Sequence, residues 1–259
     1  LALVFLALGL AIVIIDNTVL NVAIPHIMRD LNASLDSIQW VISGYALIIA
    51  TLLITMGRLA DQFGRKKLFL IGTCFFAAGS LIASYAPNVI VLFIGEAFIE
   101  AIGASMMLTS TLSLLVTEFQ GKERAIAFGV WGSVAGASAA LGPMLGGYFT
   151  TFHSWRWSLR INVIVALVAI LGSVFIKESK GAAARHFDWG GMVLSGLGLF
   201  CLVFGFIEGN RFAWGLPVQA AFAGALVFLT LFIRLELSLE KKGRSPLLKM
   251  SLFKSRAFT

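Results

Sequence analysis

Gly57-Arg58-Leu59-Ala60-Asp61-Gln62-Phe63-Gly64-Arg65-Lys66-Lys67 lies between two long apolar runs, and its punctuation sets the reading of the whole chain. Gly57 has no side chain, so a neighbouring helix can approach it closely, and Gly64 can take the positive φ of a sharp turn. Asp61 is then placed to face a helix N-terminus or a basic partner. Arg65, Lys66 and Lys67 hold the segment at an anionic membrane surface. A basic loop that merely follows membrane topology accounts for the three cations, but not for the spacing of Gly and Asp. Gly57 to Lys67 therefore reads as a tight basic turn joining one membrane span to the next.

The composition agrees with a lipid solvent. Of the 259 residues, 59% are hydrophobic and 13% charged, about half the charged fraction of an ordinary soluble domain. The net charge of +7 does not indicate nucleic acid, because the cations are dispersed among loops rather than gathered on one solvated surface. Cys74 and Cys201 fall within apolar runs far apart in sequence. They read as small buried hydrophobes, without disulfide or metal spacing.

Apolar stretches of roughly 17 to 25 residues are long enough to cross a bilayer as helices. Eight are found, at about 2–26, 38–57, 68–86, 89–115, 125–150, 157–176, 189–207 and 217–235. With the Gly57 segment placed inside, 16 of the 20 Lys and Arg fall on the cytoplasmic side; the exceptions are Arg29, Arg156, Arg160 and Arg211. That asymmetry orients the chain by the positive-inside rule, with the loops after even-numbered spans cytoplasmic. Residues 236–259 then read as a cytoplasmic connector with a possible interfacial segment. Leu1 already lies inside a span and Arg256-Ala-Phe-Thr259 could open another, so the chain reads as a fragment without a cleavable signal.

The order Gly, four residues to Asp, then Gly-Arg-Lys-Lys resembles the loop after the second helix in the major facilitator superfamily of secondary transporters. Ile15-Asp16-Asn17-Thr18-Val19-Leu20-Asn21-Val22-Ala23-Ile24-Pro25 is similar to the first-helix signature of its fourteen-span drug:proton antiporters. Gly142-Pro143-Met144-Leu145-Gly146-Gly147 resembles the antiporter motif on the fifth helix, and Phe187-Asp188-Trp189-Gly190-Gly191 the start of the two helices inserted in fourteen-span members. The resemblance implies an all-α polytopic protein of the major facilitator fold. Residues 1–176 would be its N-terminal six-helix half, made of two inverted three-helix repeats. Residues 177–188 would be a cytoplasmic loop, 189–235 the two additional helices and 236–259 the connector. It implies export of lipophilic, cationic drugs in exchange for protons from the plasma or inner membrane. The energy source is the proton gradient, with no cofactor, and a C-terminal half is the missing partner beside protons and membrane lipids.

Asp16 falls near the bilayer midplane, where a lone carboxylate costs about 2.5–3.5 kcal/mol. It must face a polar cavity, find a partner or hold a proton. Two readings stand: a coupling acid, with Asn21 nearby as a further polar contact, or a structural acid hydrogen-bonded to Asn17, Thr18 or Asn21. Glu96 and Glu100, four residues apart in the fourth span, share one face about 6 Å apart along an α-helix. Two carboxyls that close resist joint ionisation, which suits exchange of protons for a cation. The alternative is a pair held by neighbouring helices, or Glu96 wet at the outer interface. Here the chain departs from the family pattern: Ala97 stands where the family carries an arginine, and Glu100 where it carries a glutamine.

Gly142, Pro143, Gly146 and Gly147 allow close packing and a kink, so the fifth helix reads as a gate or as plain small-residue packing. Its partner, by the resemblance, lies in the missing half. Trp155 and Trp157 read as interfacial anchors, and Arg160 either snorkels outward or pairs with an acid such as Glu96. Met106 and Met107 offer an adaptable apolar wall or face lipid and packing. No phosphate loop, metal constellation or hydrolase arrangement is present, and His26, His153 and His186 stand alone near loops. The chain does not read as an enzyme. Rival readings are a proton-coupled importer, which would carry a Glu-Arg cluster in the first helix, and a non-transporting sensor or scaffold on the same fold.

Overall fold

The computed structural model describes residues 1–181, 188–242 and 247–248. Eight helices among them are long and apolar enough to cross a membrane: α1 (Ala2–Asp30), α2 (Leu35–Phe63), α3 (Arg65–Ser84), α4 (Val89–Glu118), α5 (Gly121–Phe152), α6 (Trp155–Phe175), α7 (Trp189–Glu208) and α8 (Leu216–Lys241). The described residues include no strand. Hydrophobicity sets where the helices run, and short polar residues set where they begin. Ser34, Asn88, Ser154 and Asp188 each accept a main-chain N–H at the N-terminus of α2, α4, α6 and α7. Pro217 occupies the first turn of α8, where its missing N–H is not needed.

The helices form a chain of neighbours. α1 packs on α5, α6 and α4; α4 also receives α2 and α3; α3 leans on α6. The buried side chains between them include Leu6, Ile38, Phe69, Phe76 and Leu92. α7 packs on α2 and on α8, while α8 packs chiefly on α7, so the last pair is an appendage to the six-helix group. Leu226 on α8 and Ile126 and Met144 on α5 stay largely exposed, as lipid-facing side chains do.

α3 and α4 approach backbone to backbone. A β carbon on Gly79 would come within 2.5 Å of the Glu100 nitrogen and 2.6 Å of the Gly95 carbonyl oxygen. One on Gly95 would come within 2.7 Å of the Ala83 nitrogen, and one on Gly72 within 2.6 Å of the Met106 Cβ. On Gly103 it would strike the main-chain nitrogen of Phe76. These four glycines let two backbones touch, which is how membrane helices gain dispersion contact without a hydrophobic driving force.

α4 is not α-helical throughout. Phe93–Glu100 forms a π-helical stretch, so Glu96 and Glu100 sit on a wider turn than the simple α-helical spacing predicts. Such stretches are rare and recur at functional sites. Two further expectations are corrected. The turn expected across Gly57 to Lys67 is Gly64 alone, because Arg58 to Phe63 are good helix formers that carry α2 to its end and α3 resumes at Arg65. The connector expected from residue 236 begins inside α8, since Glu236 to Lys241 continue the helix; residues 243–246 and 249–259 lie outside the described residues, as does His186. Cys74 is exposed rather than buried, and both cysteines are free.

Gly103→Val should lower the thermal unfolding midpoint of the purified protein, on the scale of the about 1–3 kcal/mol that overpacking costs. Gly136→Ala, where a β carbon meets nothing within 4 Å, should leave that midpoint unchanged.

Candidate functional site

Because α3 lies directly on α4, Ser80 faces Glu100. The Ser80 hydroxyl donates to Glu100 Oε1 at 2.6 Å. Asn162 on α6 reaches the same point from the other side. Its Nδ2 donates to Asp16 Oδ1 at 2.6 Å and lies 3.2 Å from Ser80 Oγ and 3.5 Å from Glu100 Oε1. Glu96, one turn earlier on the π-helical stretch, is a direct neighbour of both Asp16 and Glu100. Carboxylate oxygens of Asp16, Glu96 and Glu100 all lie within 4.8 Å of one another.

The cluster is dry. Asp16 is 2% exposed, Glu96 1%, Glu100 0% and Asn162 1%. One oxygen of each carboxyl (Asp16 Oδ2, Glu96 Oε2 and Glu100 Oε2) receives no N–H or hydroxyl, and the carboxyls face one another instead. No Lys, Arg or His among the described residues forms an ion pair with any of the three. Burying a carboxylate without a partner is costly, so three at this separation require positive charge from outside the side-chain set, either protons or a bound cation. Tyr45 on α2, 3% exposed, turns a hydroxyl without a partner to the electrostatic neighbourhood of the same three acids.

The sequence expectations are thus sorted by geometry. Asp16, Glu96 and Glu100 converge, and Glu96 is buried rather than wet. Asn21 does not join them: it is exposed, and its amide donates to the Asn17 carbonyl. Thr18 likewise bonds back to the carbonyls of Ile14 and Ile15. Of the local partners expected for a structural Asp16, Thr18 and Asn21 are therefore turned to the backbone, and Asn17 lines an apolar cavity. Asn162 and Ser80 are not among the expected site residues: in sequence they are a small amide and a small hydroxyl that resemble ordinary packing until the helices are assembled.

Arg160 does not pair with Glu96. Its guanidinium lies 4.8 Å from the Tyr85 ring and 5.1 Å from the Trp157 ring, a cation–π sandwich. Arg156 and the Trp155 indole N–H both bond to Asp30 Oδ2 at 3.0 Å, tying α6 to α1. Met106 packs on Gly72 and Met107 is buried in the core, and neither lines the cavity beside Tyr45. An apolar cavity of about 380 Å³ is lined instead by Leu10, Val13, Asn17, Tyr45, Leu108 and Trp131, among others, and Tyr45 joins it to the acids.

Within this chain the fifth helix packs on α1. A β carbon on Gly142 would collide with the Thr18 hydroxyl, and one on Gly146 would lie 3.1 Å from the Val19 carbonyl oxygen, both on α1. Pro143 sits between them inside the helix. Gly147 meets nothing within 4 Å, and neither does Gly57.

At the opposite end of α2, Gly64 adopts φ +117°. Arg65 grips Asp61 with contacts of 2.8 and 3.0 Å from two guanidinium nitrogens, the basic partner expected for Asp61. The segment after α6 closes the joint. Glu178 accepts from the main-chain N–H groups of Lys66 and Lys67, both at 3.1 Å, placing its charge at the N-terminus of α3.

The sequence matches the family model described as Major Facilitator Superfamily over residues 6–253. The chain belongs to that superfamily. It is an integral, multi-pass membrane protein built as transporters of the family are. It is similar to the puromycin resistance protein of Streptomyces alboniger, 36% identical across 92% of this chain and 46% of the relative. The tetracenomycin C resistance and export protein of Streptomyces glaucescens is 34% identical across 98% of this chain and 47% of its own length. A multidrug efflux pump of Mycolicibacterium smegmatis is 34% identical across 100% of this chain and 51% of its own. The chain spans about half the length of these relatives. Among solved structures, a peptide transporter of the POT family superposes with a TM-score of 0.63 at 14% identity, over 94% of this chain and 55% of that one; this likeness concerns the fold alone.

Asn162→Ala should destabilise the protein by about 1–3 kcal/mol, because it strands buried acceptors. Combined with Asp16→Asn, a double-mutant cycle on unfolding midpoints should return a coupling of about 0.5–3 kcal/mol; purely additive losses would disconnect the two side chains. Gly64→Ala should cost about 1–3 kcal/mol through its positive φ, measured the same way.

Proposed function

We propose that this chain is the ion-coupling part of a secondary transporter that exports lipophilic, cationic compounds in exchange for protons. The observation that carries the reading is the convergence of Asp16, Glu96 and Glu100 in a dry cluster without a cationic partner. Such a cluster holds protons when no cation is present and releases them when one binds, because an arriving positive charge stabilises the ionised carboxyls. Exchange then needs no energy source besides the proton gradient.

The apolar cavity beside Tyr45 and Trp131 supplies a wall for the lipophilic body of a substrate, within reach of the charge-bearing cluster. The relatives' printed roles in resistance and export support the outward direction. The positive-inside count supports a cytoplasmic position for Gly64 and Glu178. There Asp61, Arg65, Lys66 and Glu178 form a joint that opens or closes with the tilt of α3. α5, held to α1 by Gly142 and Gly146 and softened by Pro143, carries movement of that wall to the helix that bears Asp16. The rest of the substrate pocket belongs to a second half, and the six helices α1 to α6 divide into two inverted three-helix repeats.

The test is pH-gradient-driven movement of a lipophilic cationic dye in liposomes containing the full-length protein. Asp16→Asn and Glu100→Gln should each cut coupled transport at least about tenfold, the effect of about 1.4 kcal/mol, while leaving the protein folded. Unchanged transport in both variants would demote the acids to structural groups, as the scaffold reading requires. Inward accumulation driven by the same gradient would favour the importer.

A further inference from the structure

We propose a second organic-cation site, formed where the appended pair α7 and α8 meets the six-helix group, at the end of α2 remote from Gly64. A polar cavity of about 660 Å³ opens there, lined by Asp36, Gln39, Ser43, Glu208, Asn210 and Arg211 among others. That volume is within the range of small-molecule pockets. Glu208, the last residue of α7, is only 2% exposed, a charged side chain buried at a helix end.

The site already holds a cation, and the protein supplies it. The Arg211 guanidinium lies 4.7 Å from the centre of the Trp40 ring, with Nη1 3.6 Å from Glu208 Oε2 and Nη2 3.7 Å from Asp36 Oδ2. Both ion-pair contacts exceed hydrogen-bond length, and Nη1 is buried with no hydrogen-bond partner. The Trp40 ring lies 6.5 Å from that of Phe204, which lies 6.0 Å from that of Phe212, so Arg211 rests on an aromatic group beside the cavity. A guanidinium held by an aromatic face and two carboxylates, yet not hydrogen-bonded to them, is a tethered occupant that a free cation can displace.

The chemistry selects the ligand. Two carboxylates against one arginine leave the pocket net negative, which rejects anions. With only two acids, and the Trp40 face that the Arg211 guanidinium now covers, the site suits a weakly hydrated organic cation, such as a quaternary ammonium, phosphonium or amidine, better than a metal ion. The site shares no residue with the Asp16 cluster, so it goes beyond the proposed transport reading. It gives the inserted helices a ligand-binding role of their own.

The experiment is equilibrium binding of radiolabelled tetraphenylphosphonium to the purified protein. Arg211→Ala removes the tethered competitor and should raise affinity about tenfold, the scale of one desolvated cation–π contact. Adding Glu208→Gln should cancel that gain. The gain should persist in an Asp16→Asn background, so that loss of the central cluster is not mistaken for loss of this site. Unchanged or weaker binding in Arg211→Ala, or a gain that survives Glu208→Gln, overturns the proposal. If the alanine variant does not fold, Arg211→Gln keeps a polar head without charge, and tetraphenylphosphonium should raise its unfolding midpoint more than that of the parent. An equal or smaller rise overturns the site just as well.

Discussion

The backbone of α3 rests on the backbone of α4, and the rest of the candidate site depends on that contact. Gly79 and Gly95 allow it near the acids, and Gly72 and Gly103 continue it toward the other end. With side chains in place of these hydrogens the helices would stand apart, and the 2.6 Å bond between Ser80 and Glu100 could not form. Asn162 would then have one acceptor in place of three. The polar cluster is a product of apolar packing: small residues bring the helices together, and the polar atoms are positioned by that fit.

Around this contact the helices differ in how completely they are enclosed. α1, α3, α4 and α6 enclose the acids and are buried against one another. α5 packs along α1, with Gly142 and Gly146 set against it, and leaves Gly129, Gly132, Gly136 and Gly147 facing open space. α8 hangs on α7, and α7 on α2. The joint at Gly64 ties the α2–α3 hairpin to the segment that follows α6, so a single carboxylate, Glu178, spans residues more than a hundred positions apart.

Much of the fold was legible because lipid imposes one rule on every span: about twenty apolar residues, with breaks marked by Gly, Pro and charge. The acids were legible for the same reason, since Asp16, Glu96 and Glu100 interrupt runs that otherwise carry no charge. What could not be read was whatever depends on two helices at once. Gly79 and Gly95 look like any glycine in an apolar run. Ser80 and Asn162 become site residues only when α3 and α6 meet. The π-helical turn at Phe93–Glu100 leaves no mark in periodicity, because eight residues are too few to separate two helical periods. The boundary at Gly57 was misplaced because glycine is a weaker helix breaker than its reputation suggests: between Thr55-Met56 and Arg58-Leu59-Ala60 it is carried along.

The Asn162 amide has two hydrogens and stands before three acceptors, at 2.6, 3.2 and 3.5 Å. The amide cannot satisfy all three at full strength, so α6 is held at the point where the groups of α1, α3 and α4 compete for one side chain.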